Sequence, residues 1–448
     1  MPGRCANFVY RINFVSADFN HHFCGAREDA RREWIPSVRA DARTWEGGTR
    51  MAMVIDAAEM RRRNKLTVLN AIRNHPGISR AALSESTGMN KATVSSLVAE
   101  LMEEQFVVEA GPGSSTGGRR PIRLQFHANA AYSIGVDVQI HSVRLVLCNL
   151  DHEVAWERLL PMEPASMSSD ELVSQLADSI RQLIHEAPKS PHGVIGIGIS
   201  LPGLVNYRTG YIHYIPNMGI RDLPLADILQ SEFHIPVFID NDANCGAWAM
   251  YRAHPAVESL VFVNVGIGIG AGLVLGGQLY RGIAGLAGEY GHMTIDPMGL
   301  RCSCGNRGCW EQYASESALL ALWNEVYART DPGLRCTGFD VVPRLLERAQ
   351  AGDENAVRAF AHVGHYLGVG LANIANALNP ELIVIGGRLA ASERFVREEL
   401  EHTLRARTLP VARDVRLAMA EASVQAVGAA GIVAEETLLR TGDVAGGG

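Results

Sequence analysis

Four side chains with metal-binding chemistry lie close together in the sequence between residues 288 and 311. Cys302, Cys304 and Cys309 fall within eight residues, and His292 precedes the first of them by ten. Thiolates and imidazole are preferred donors for zinc, and this set completes a tetrahedral structural site. Because such a site leaves no position open for a water nucleophile, we predict a structural zinc ion rather than a hydrolytic one. The alternative is a cluster of free cysteines in a surface loop.

Two carboxylates frame the same segment. Glu289 precedes His292 by three residues, about one helical turn, and Glu311 follows Cys309 by two. A bound zinc ion would hold both carboxylates and the imidazole on one rigid patch. We therefore predict that the metal positions a polar binding surface.

A second polar motif, FIDNDANC at residues 238–245, is predicted to end a strand and begin a helix. Asn241 and Asp242 lie at that point, where an amide and a carboxylate can each bind adjacent hydroxyls of a sugar ring. The alternative is an Asx turn that caps the following helix.

These motifs resemble those of the ROK family (repressors, open reading frames and sugar kinases). The likeness rests on Gly-Glu-x-Gly-His followed by C-x-C-G-x-x-G-C-x-E and on Asn-Asp-x-Asn, and it covers about residues 128–440. It is greatest to the repressor branch, typified by the xylose and N-acetylglucosamine repressors. The resemblance implies a two-lobed actin/Hsp70/sugar-kinase-like fold with the ligand in the cleft between the lobes. It also implies the sugar-contacting residues, which are Gly203, Asn217, Asn241, Asp242, Glu289, His292 and Glu311.

His292 has two tasks in this interpretation. One ring nitrogen would bind zinc, and the second would donate a hydrogen bond to a sugar hydroxyl. The zinc is therefore predicted to be structural and yet necessary for sugar binding.

The glycine-rich loops that a sugar kinase needs for ATP are both altered. Backbone N–H groups of such loops must approach the phosphates closely. Kinases of the family have Asp-x-Gly-Gly-Thr after the first strand, whereas Asp137 is followed here by Val-Gln-Ile-His; in the later loop, Ile267 replaces a threonine. We therefore predict that the protein is not an enzyme. The alternative is an ATP-dependent sugar kinase with a DNA-binding head, in which Asp242 would be the general base.

A basic helical segment precedes this domain. Residues 61–125 carry ten Lys/Arg against five Asp/Glu, a net charge of +5 in a chain of net charge −7. Three helical patterns with a turn at Gly88, followed by two strand patterns around a glycine-rich tip, are typical of a winged helix-turn-helix. We predict that it binds double-stranded DNA. A helical protein-interaction module is the alternative.

The third helix and the wing are expected to contact bases and phosphates. Ser79 and Asn90 are the predicted N-caps of the second and third helices. The buried face of the third helix is predicted to be Val94, Leu97, Val98 and Leu101. The predicted DNA-binding residues are Asn90, Lys91, Thr93, Ser95, Ser96, Arg119 and Arg120.

Changes in sequence pattern divide the chain into four parts. Residues 1–59 are predicted to be a disordered or mis-started extension, 60–127 the winged helix-turn-helix, 128–440 the α/β sugar-binding domain, and 441–448 a flexible tail. No apolar run approaches the roughly 18 residues of a membrane span. The clustered cysteines suit a reducing cytosol, so we predict a cytoplasmic protein with no membrane contact.

The sequence as a whole predicts a sugar-responsive DNA-binding regulator, a repressor of carbohydrate-utilisation genes. Its expected partners are a DNA operator, a small sugar effector and further copies of itself in a homodimer or homotetramer. A dimer would read an inverted repeat with half-sites about one DNA turn apart. A DNA-binding architectural protein without a ligand is a third alternative. The sequence leaves open which sugar binds, which operator is read, and whether the sugar is an inducer or a corepressor.

Overall fold

The computed structural model describes most of the chain from residue 57 onwards. The described residues are 57–112, 121–162, 168–216, 218–283, 285–329, 332–336, 341–421 and 424–439. Residues 1–56, Arg119, Arg120, Asn217 and the predicted tail lie outside them. No helix in these ranges is long and apolar enough to cross a membrane.

The N-terminal head, residues 57–126, is a winged helix-turn-helix. Its elements are α1 (Ala57–Asn74), α2 (Arg80–Thr87), α3 (Lys91–Glu103) and an antiparallel pair, β1 (Val107–Pro112) and β2 (Ile122–Phe126). Helix α1 begins three residues before the predicted domain boundary at residue 60. Glu59 in its first turn pairs with Arg62 and Arg63, which favours helix there.

Both predicted helix caps of the head are present. Ser79 Oγ accepts a hydrogen bond from Ala82 N at 3.2 Å, and Asn90 Oδ1 accepts one from Thr93 N at 2.8 Å. Gly88 between the two helices has φ +70°, a left-handed conformation that glycine adopts without strain. The predicted face of α3 is buried in the core of the head: Val94, Leu97, Val98 and Leu101.

Two lobes, each built on a five-stranded sheet, follow the head. The first lobe contains β3 (Tyr132–Val138), β4 (Ser142–Asn149), β5 (Val154–Pro161), α4 (Ser169–Glu186), β6 (Val194–Leu201), β7 (Leu204–Asn206), β8 (Tyr211–Ile215), β9 (Ile220–Leu223), α5 (Leu225–Phe233) and β10 (Val237–Asn241). The second contains α6 (Asp242–Ala253), β11 (Leu260–Val265), β12 (Ile269–Leu275), β13 (Gln278–Leu279), α7 (Glu311–Ala314), α8 (Glu316–Leu322), α9 (Val341–Gln350), α10 (Glu354–Leu378), β14 (Leu382–Gly386), α11 (Glu393–Arg407), β15 (Arg416–Met419) and α12 (Val424–Ala434).

The two large sheets have the same topology. Their strand orders are β5-β4-β3-β6-β10 and β13-β12-β11-β14-β15. In each, the central strand has antiparallel neighbours on one side and parallel neighbours on the other. This repetition matches the predicted two-lobed α/β fold.

Helices α6 and α12 connect the lobes. Helix α6 packs on β11 and β12, α12 packs on β3 and β6, and the two helices pack on each other. Glycines allow very close approach: a Cβ on Gly198 would lie 2.0 Å from Ala429 O, and one on Gly428 would lie 1.8 Å from Cys245 O. Because no space remains at these contacts, α12 cannot shift without moving its neighbours.

The head shares its hydrophobic core with the end of the described chain. Ala434 and Leu439, in and just after α12, are buried in the same cluster as the head. Asn70 Nδ2 on α1 donates to Leu439 O at 3.1 Å. The Phe106 ring also stacks on His192 of the first lobe, with ring centroids 4.3 Å apart. The head is therefore docked on the body through packed side chains.

Candidate functional site

The four predicted metal ligands converge in the structure. One donor atom from each of His292, Cys302, Cys304 and Cys309 lies within 4.8 Å of all the others. Cys302 Sγ is 3.7 Å from His292 Nδ1, and Cys304 Sγ is 3.7 Å from Cys309 Sγ. Two thiolates bound tetrahedrally to one zinc ion would lie about 3.8 Å apart. The donor set and its spacing therefore fit a structural zinc site.

The loop that carries these ligands is tightly folded and anchored. Gly308 has φ +67°, and a Cβ there would lie 1.6 Å from Asp296 O. Trp310, directly after the last cysteine, is fully buried, and its Nε1 donates to Tyr366 O on α10 at 2.7 Å. We had not singled out Trp310, although a tryptophan next to a metal ligand is a signal that the loop is held in a core.

The two carboxylates lie beside the ligand cluster. His292 turns Nδ1 toward Cys302, while its Nε2 is 3.9 Å from Glu289 Oε2. Glu311 Oε1 lies 3.1 Å from Cys302 Sγ and 3.5 Å from His292 Nδ1. The second imidazole nitrogen thus points away from the ligand cluster and toward a carboxylate. Contact of these groups with a sugar stays a prediction.

The Asn-Asp motif ends β10 and begins α6. Asn241 Oδ1 accepts from Ala243 N at 2.9 Å, so the Asx cap that the sequence left as an alternative is present. The amide nitrogen takes no part in this cap and donates to Gly203 O at 3.4 Å. Gly203 has φ +112°, and a Cβ there would lie 2.3 Å from Tyr214 O. The cap and a sugar contact use different atoms of Asn241 and are compatible.

Asp242 is held by hydrogen bonds from two sides. Its Oδ1 accepts from Ala243 N at 2.8 Å, and its Oδ2 accepts from Asn264 Nδ2 at 2.8 Å. Removal from water raises the pKa of this carboxyl, and the two hydrogen bonds oppose that shift. Burial raises the pKa of Glu289, and the nearby Asp242 carboxylate adds to that rise, so the two motifs interact electrostatically. Asn264 is not among the predicted site residues, although a polar residue in the apolar strand LVFVNV is a sequence signal for a functional position.

A buried ion pair supports the motif from behind. Arg281 Nε donates to Asp240 Oδ2 at 2.7 Å, and Asn244 Nδ2 donates to Asp240 Oδ1 at 2.8 Å. The Arg281 guanidinium also lies over the Tyr207 ring, 4.7 Å from its centroid. Asp240 directly precedes Asn241, so these contacts fix the end of β10. No sequence motif predicts this pair, because its partners are 41 positions apart in the chain.

Side chains occupy the place of the first phosphate loop. Asp137 Oδ1 accepts from Ser200 Oγ at 2.8 Å, and Oδ2 accepts from Gln139 Nε2 at 2.8 Å. Burial raises the pKa of Asp137 to about 7. Val138 and Ile140 are buried on either side of Gln139. The carboxylate is thus already bound by the chain itself.

The later glycine loop is also engaged by the protein. Gly266 O accepts from Glu316 N at 2.8 Å, which ties the loop to the start of α8. A Cβ on Gly268 would lie 2.8 Å from Glu311 Oε2, so this glycine leaves room for a carboxylate of the predicted sugar site.

The exposed side of α3 carries the predicted DNA-binding residues that the structure describes. Asn90, Lys91, Ser95 and Ser96 are exposed, and Thr93 is half-buried. Arg61 of α1 lies beside them: its Nη2 donates to Ser96 Oγ at 3.1 Å, and it also pairs with Glu100. Arg61 is a further cation on this surface that the sequence analysis had not assigned. The contacts of all these residues with DNA stay predictions.

The chain belongs to the ROK family, which it matches over residues 133–436. Residues 62–120 match the MarR family, whose description fits the winged helix-turn-helix head. The family and the domain combination predicted from the motifs are therefore confirmed.

Relatives with known names or solved structures cover two thirds or more of the chain. The xylose repressor of Bacillus spizizenii is 38% identical over 359 residues, which cover 80% of this chain and 90% of the relative. The crystal structure of a ROK family transcriptional regulator, described as a homologue of the E. coli MLC protein, superposes with a TM-score of 0.73 at 26% identity. The superposition covers 86% of this chain and 98% of the regulator's chain. A ROK hexokinase from Thermus thermophilus has a TM-score of 0.56 at 30% identity and covers 67% of this chain and 97% of its own.

These relatives confirm the predicted class, a sugar-responsive DNA-binding repressor. The regulator structure covers a larger part of this chain than the hexokinase, 86% against 67%. Likeness to a kinase also shows that the body of the protein retains the fold on which sugar phosphorylation occurs elsewhere in the family.

Proposed function

We propose that the protein represses carbohydrate-utilisation genes, and that a sugar bound in the interlobe cleft changes its affinity for the operator. One observation supports this proposal: Glu289 and Glu311 lie beside a Cys₃His cluster, and Asp242 interacts electrostatically with Glu289, in a chain that also has a winged helix-turn-helix. Amide, carboxylate and imidazole groups gathered in a cleft are suited to the hydroxyls of a monosaccharide. We propose an aldopentose as the effector and xylose as the first candidate, because the Bacillus spizizenii relative is named a xylose repressor.

The proposed metal is a structural zinc ion held by His292, Cys302, Cys304 and Cys309. When bound, it would fix the imidazole and its neighbours in one arrangement. His292 Nε2 would then donate toward Glu289 or a sugar hydroxyl, because Nδ1 is directed at the ligand cluster. Sugar affinity is therefore proposed to depend on the metal, although the sugar need not touch it.

The protein is proposed to lack kinase activity. Gln139 and Ser200 already satisfy the Asp137 carboxylate, and Gly268 accommodates Glu311. Gln139 N also donates to Ser142 O and Gly266 N donates to Gly268 O, so these backbone N–H groups of the two loops are not free to bind phosphate. The retained Asp242 is explained by binding, because a carboxylate that accepts from a sugar hydroxyl discriminates against analogues lacking it. We further propose a cytoplasmic protein that acts as a dimer or tetramer on an inverted repeat.

Calorimetry on the zinc-loaded protein tests the ligand and the reaction together. Xylose, glucose and N-acetylglucosamine are titrated with and without ATP, and ADP release is followed in parallel. We expect xylose to bind, with no ADP formed in any titration. Sugar-dependent ADP release would support the kinase alternative instead. A gel-shift titration in which none of these sugars alters operator affinity would support an architectural DNA-binding protein.

The wing arginines test the DNA interface. Replacing Arg119 and Arg120 with alanine removes two cations expected to contact phosphate. Operator affinity should fall by about tenfold, and the slope of log K against log salt should decrease by about 2, because each phosphate contact contributes about 0.9. Arg358→Ala, an exposed arginine on α10, is the matched control and should leave both quantities unchanged. If the Arg119/Arg120 variant and Arg358→Ala had the same operator affinity and the same salt dependence, these two arginines would not contribute to DNA binding.

A further inference from the structure

A chain of side-chain amides leads away from the proposed sugar site. Asn264 Nδ2 donates to Asp242 Oδ2 at 2.8 Å, and Asn264 Oδ1 accepts from Gln425 Nε2 at 3.2 Å. Gln425 is 2% exposed and lies in the first turn of α12, among apolar and small residues. A buried amide in such a helix is costly unless it is hydrogen-bonded, so the contact with Asn264 is strongly favoured.

The three residues lie on the three elements that meet between the lobes. Asp242 begins α6, Asn264 is on β11 of the second sheet, and Gln425 begins α12, which packs on the first sheet. The two hydrogen bonds therefore join both connecting helices to the second lobe at one point. That point also contains a carboxylate of the predicted sugar site.

The other end of α12 reaches the head. The turn that follows α12 buries Leu439 in the head core, where Leu439 O accepts from Asn70 on α1. Gln425 and Ala434, which is also buried in the head core, are separated by roughly 14 Å along α12, at a rise of about 1.5 Å per residue. Close backbone contacts such as Gly135 with Ala426 hold the helix against the first sheet. One rigid element thus connects the amide chain to the DNA-binding head.

We propose that Asn264 and Gln425 form a relay that transmits occupancy of the sugar site from Asp242 to α12 and so to the head. This inference rests on the proposed function, since it describes how a sugar bound there alters operator affinity. Asn264 and Gln425 act as positioning residues and need not touch the sugar.

The chemistry of the amide group explains how the relay works. A sugar hydroxyl that donates to Asp242 competes with Asn264 Nδ2 for the same carboxylate. The amide of asparagine is planar, so a rotation that moves its nitrogen also moves its oxygen. Gln425 must then follow or lose its acceptor. Either outcome changes the preferred position of α12. The sugar then binds with different affinity to the two positions of α12, and this difference couples sugar binding to operator binding.

Gln425→Met tests the relay in the full chain. Methionine has nearly the same length and fills the same space, but it cannot donate to Asn264. The ratio of operator Kd with and without saturating xylose is measured together with the xylose Kd and the thermal midpoint. We expect the xylose Kd to change by less than about threefold and the operator ratio to approach 1. Thr403→Val is the control. It removes the partly buried side-chain hydrogen bond between Thr403 on α11 and His365 on α10, and it should keep the wild-type ratio of operator Kd values.

A double-mutant cycle with Asn264→Leu separates the relay from general loss of stability. If both residues act in one chain, the double variant should lose no more of the sugar response than either single variant, although its thermal midpoint falls further. A Gln425→Met protein with the full wild-type response would overturn the relay and leave the proposed function intact. If no tested sugar changed the operator affinity of the wild-type protein, both the relay and the proposed function would be overturned.

Discussion

The two ends of the interlobe cleft have been modified in opposite ways. At the predicted sugar end, Glu289 is exposed and Asp242 and Glu311 are half-buried, although both oxygens of Asp242 accept hydrogen bonds from the chain. At the end that would hold the nucleotide in a kinase of the family (the nucleotide end), Asp137 is buried and both of its oxygens accept hydrogen bonds from the chain. Carboxylates are thus present at both ends, and those at the sugar end are the more accessible to a ligand.

The proposed function, sugar binding without phosphate transfer, fits this difference. Sugar recognition needs groups that are positioned and open, whereas phosphate transfer also needs empty space beside the backbone. Gln139 removes that space at the first loop, and Glu311 uses the space left at Gly268. Substitutions at the sugar end should therefore change ligand affinity, whereas those at the nucleotide end should change stability.

The largest effect is expected from Cys304→Ser. Serine is a poor zinc ligand, and structural zinc sites contribute about 10–16 kcal/mol of binding free energy. We expect zinc to be lost and sugar affinity to fall by at least about 100-fold, since loss of even an outer-shell partner weakens a metal site by 10- to 100-fold. Metal analysis and calorimetry measure the two quantities. Cys148→Ala, a buried cysteine of the first lobe, should retain both. Sugar binding by metal-free protein would separate zinc from the site.

Asp137→Asn should affect stability rather than sugar affinity. The pKa of Asp137 is about 7 in the folded protein against an ordinary 3.8, so ionisation of this group opposes folding. The penalty is absent below about pH 4, grows as the pH rises, and is complete above pH 7. Asparagine cannot ionise, so the variant should be the more stable protein at pH 8, by at most about 4 kcal/mol for a shift of roughly three units.

Unfolding by urea at pH 5 and pH 8 measures this difference, which should be larger at pH 8. Asp227→Asn, an exposed carboxylate on α5, is the control and should show no such trend. A large loss of sugar affinity in Asp137→Asn would contradict the separation of the two ends.

Asp242→Asn should weaken sugar binding by about 10- to 100-fold. The substitution keeps the size of the side chain but removes the charge that accepts from a hydroxyl, and hydrogen bonds to charged groups contribute about 1.5–3 kcal/mol. Operator affinity without sugar should remain as in the wild type. Calorimetry and gel shift measure the two affinities. Unchanged sugar affinity would place the ligand elsewhere.

The smallest effect is expected from Gly268→Ala. The new methyl group would meet Glu311 Oε2 at 2.8 Å, and the end of this side chain can move by a few tenths of an ångström. Sugar affinity should fall about threefold, because displaced carboxylates weaken individual hydrogen bonds by less than about 1 kcal/mol. Gly276→Ala, where a Cβ meets nothing within 4 Å but φ is +57°, controls for general strain. No loss in Gly268→Ala would mean that Glu311 does not bind the sugar.

Local spacing predicted more of this protein than long-range contact did. Short-range spacing, within one or two helical turns or one loop, predicted three features correctly. These are the caps Ser79 and Asn90, the buried face of α3 and the convergence of the four metal ligands. Pairs such as Arg281 with Asp240 and Gln425 with Asn264 join residues that are 41 and 161 positions apart. No periodicity or motif connects such partners, because only the packing of whole lobes brings them together.

The shared core of the head has a consequence for synthesis. A ribosome makes α1 to α3 before both lobes, but Ala434 and Leu439, which complete their core, are made only after both sheets of the lobes. A nascent or prematurely terminated chain would expose the apolar residues that these side chains cover. The protein should therefore bind DNA only once the sugar-binding domain is also complete. A partial chain would then not repress genes that it cannot release in response to sugar.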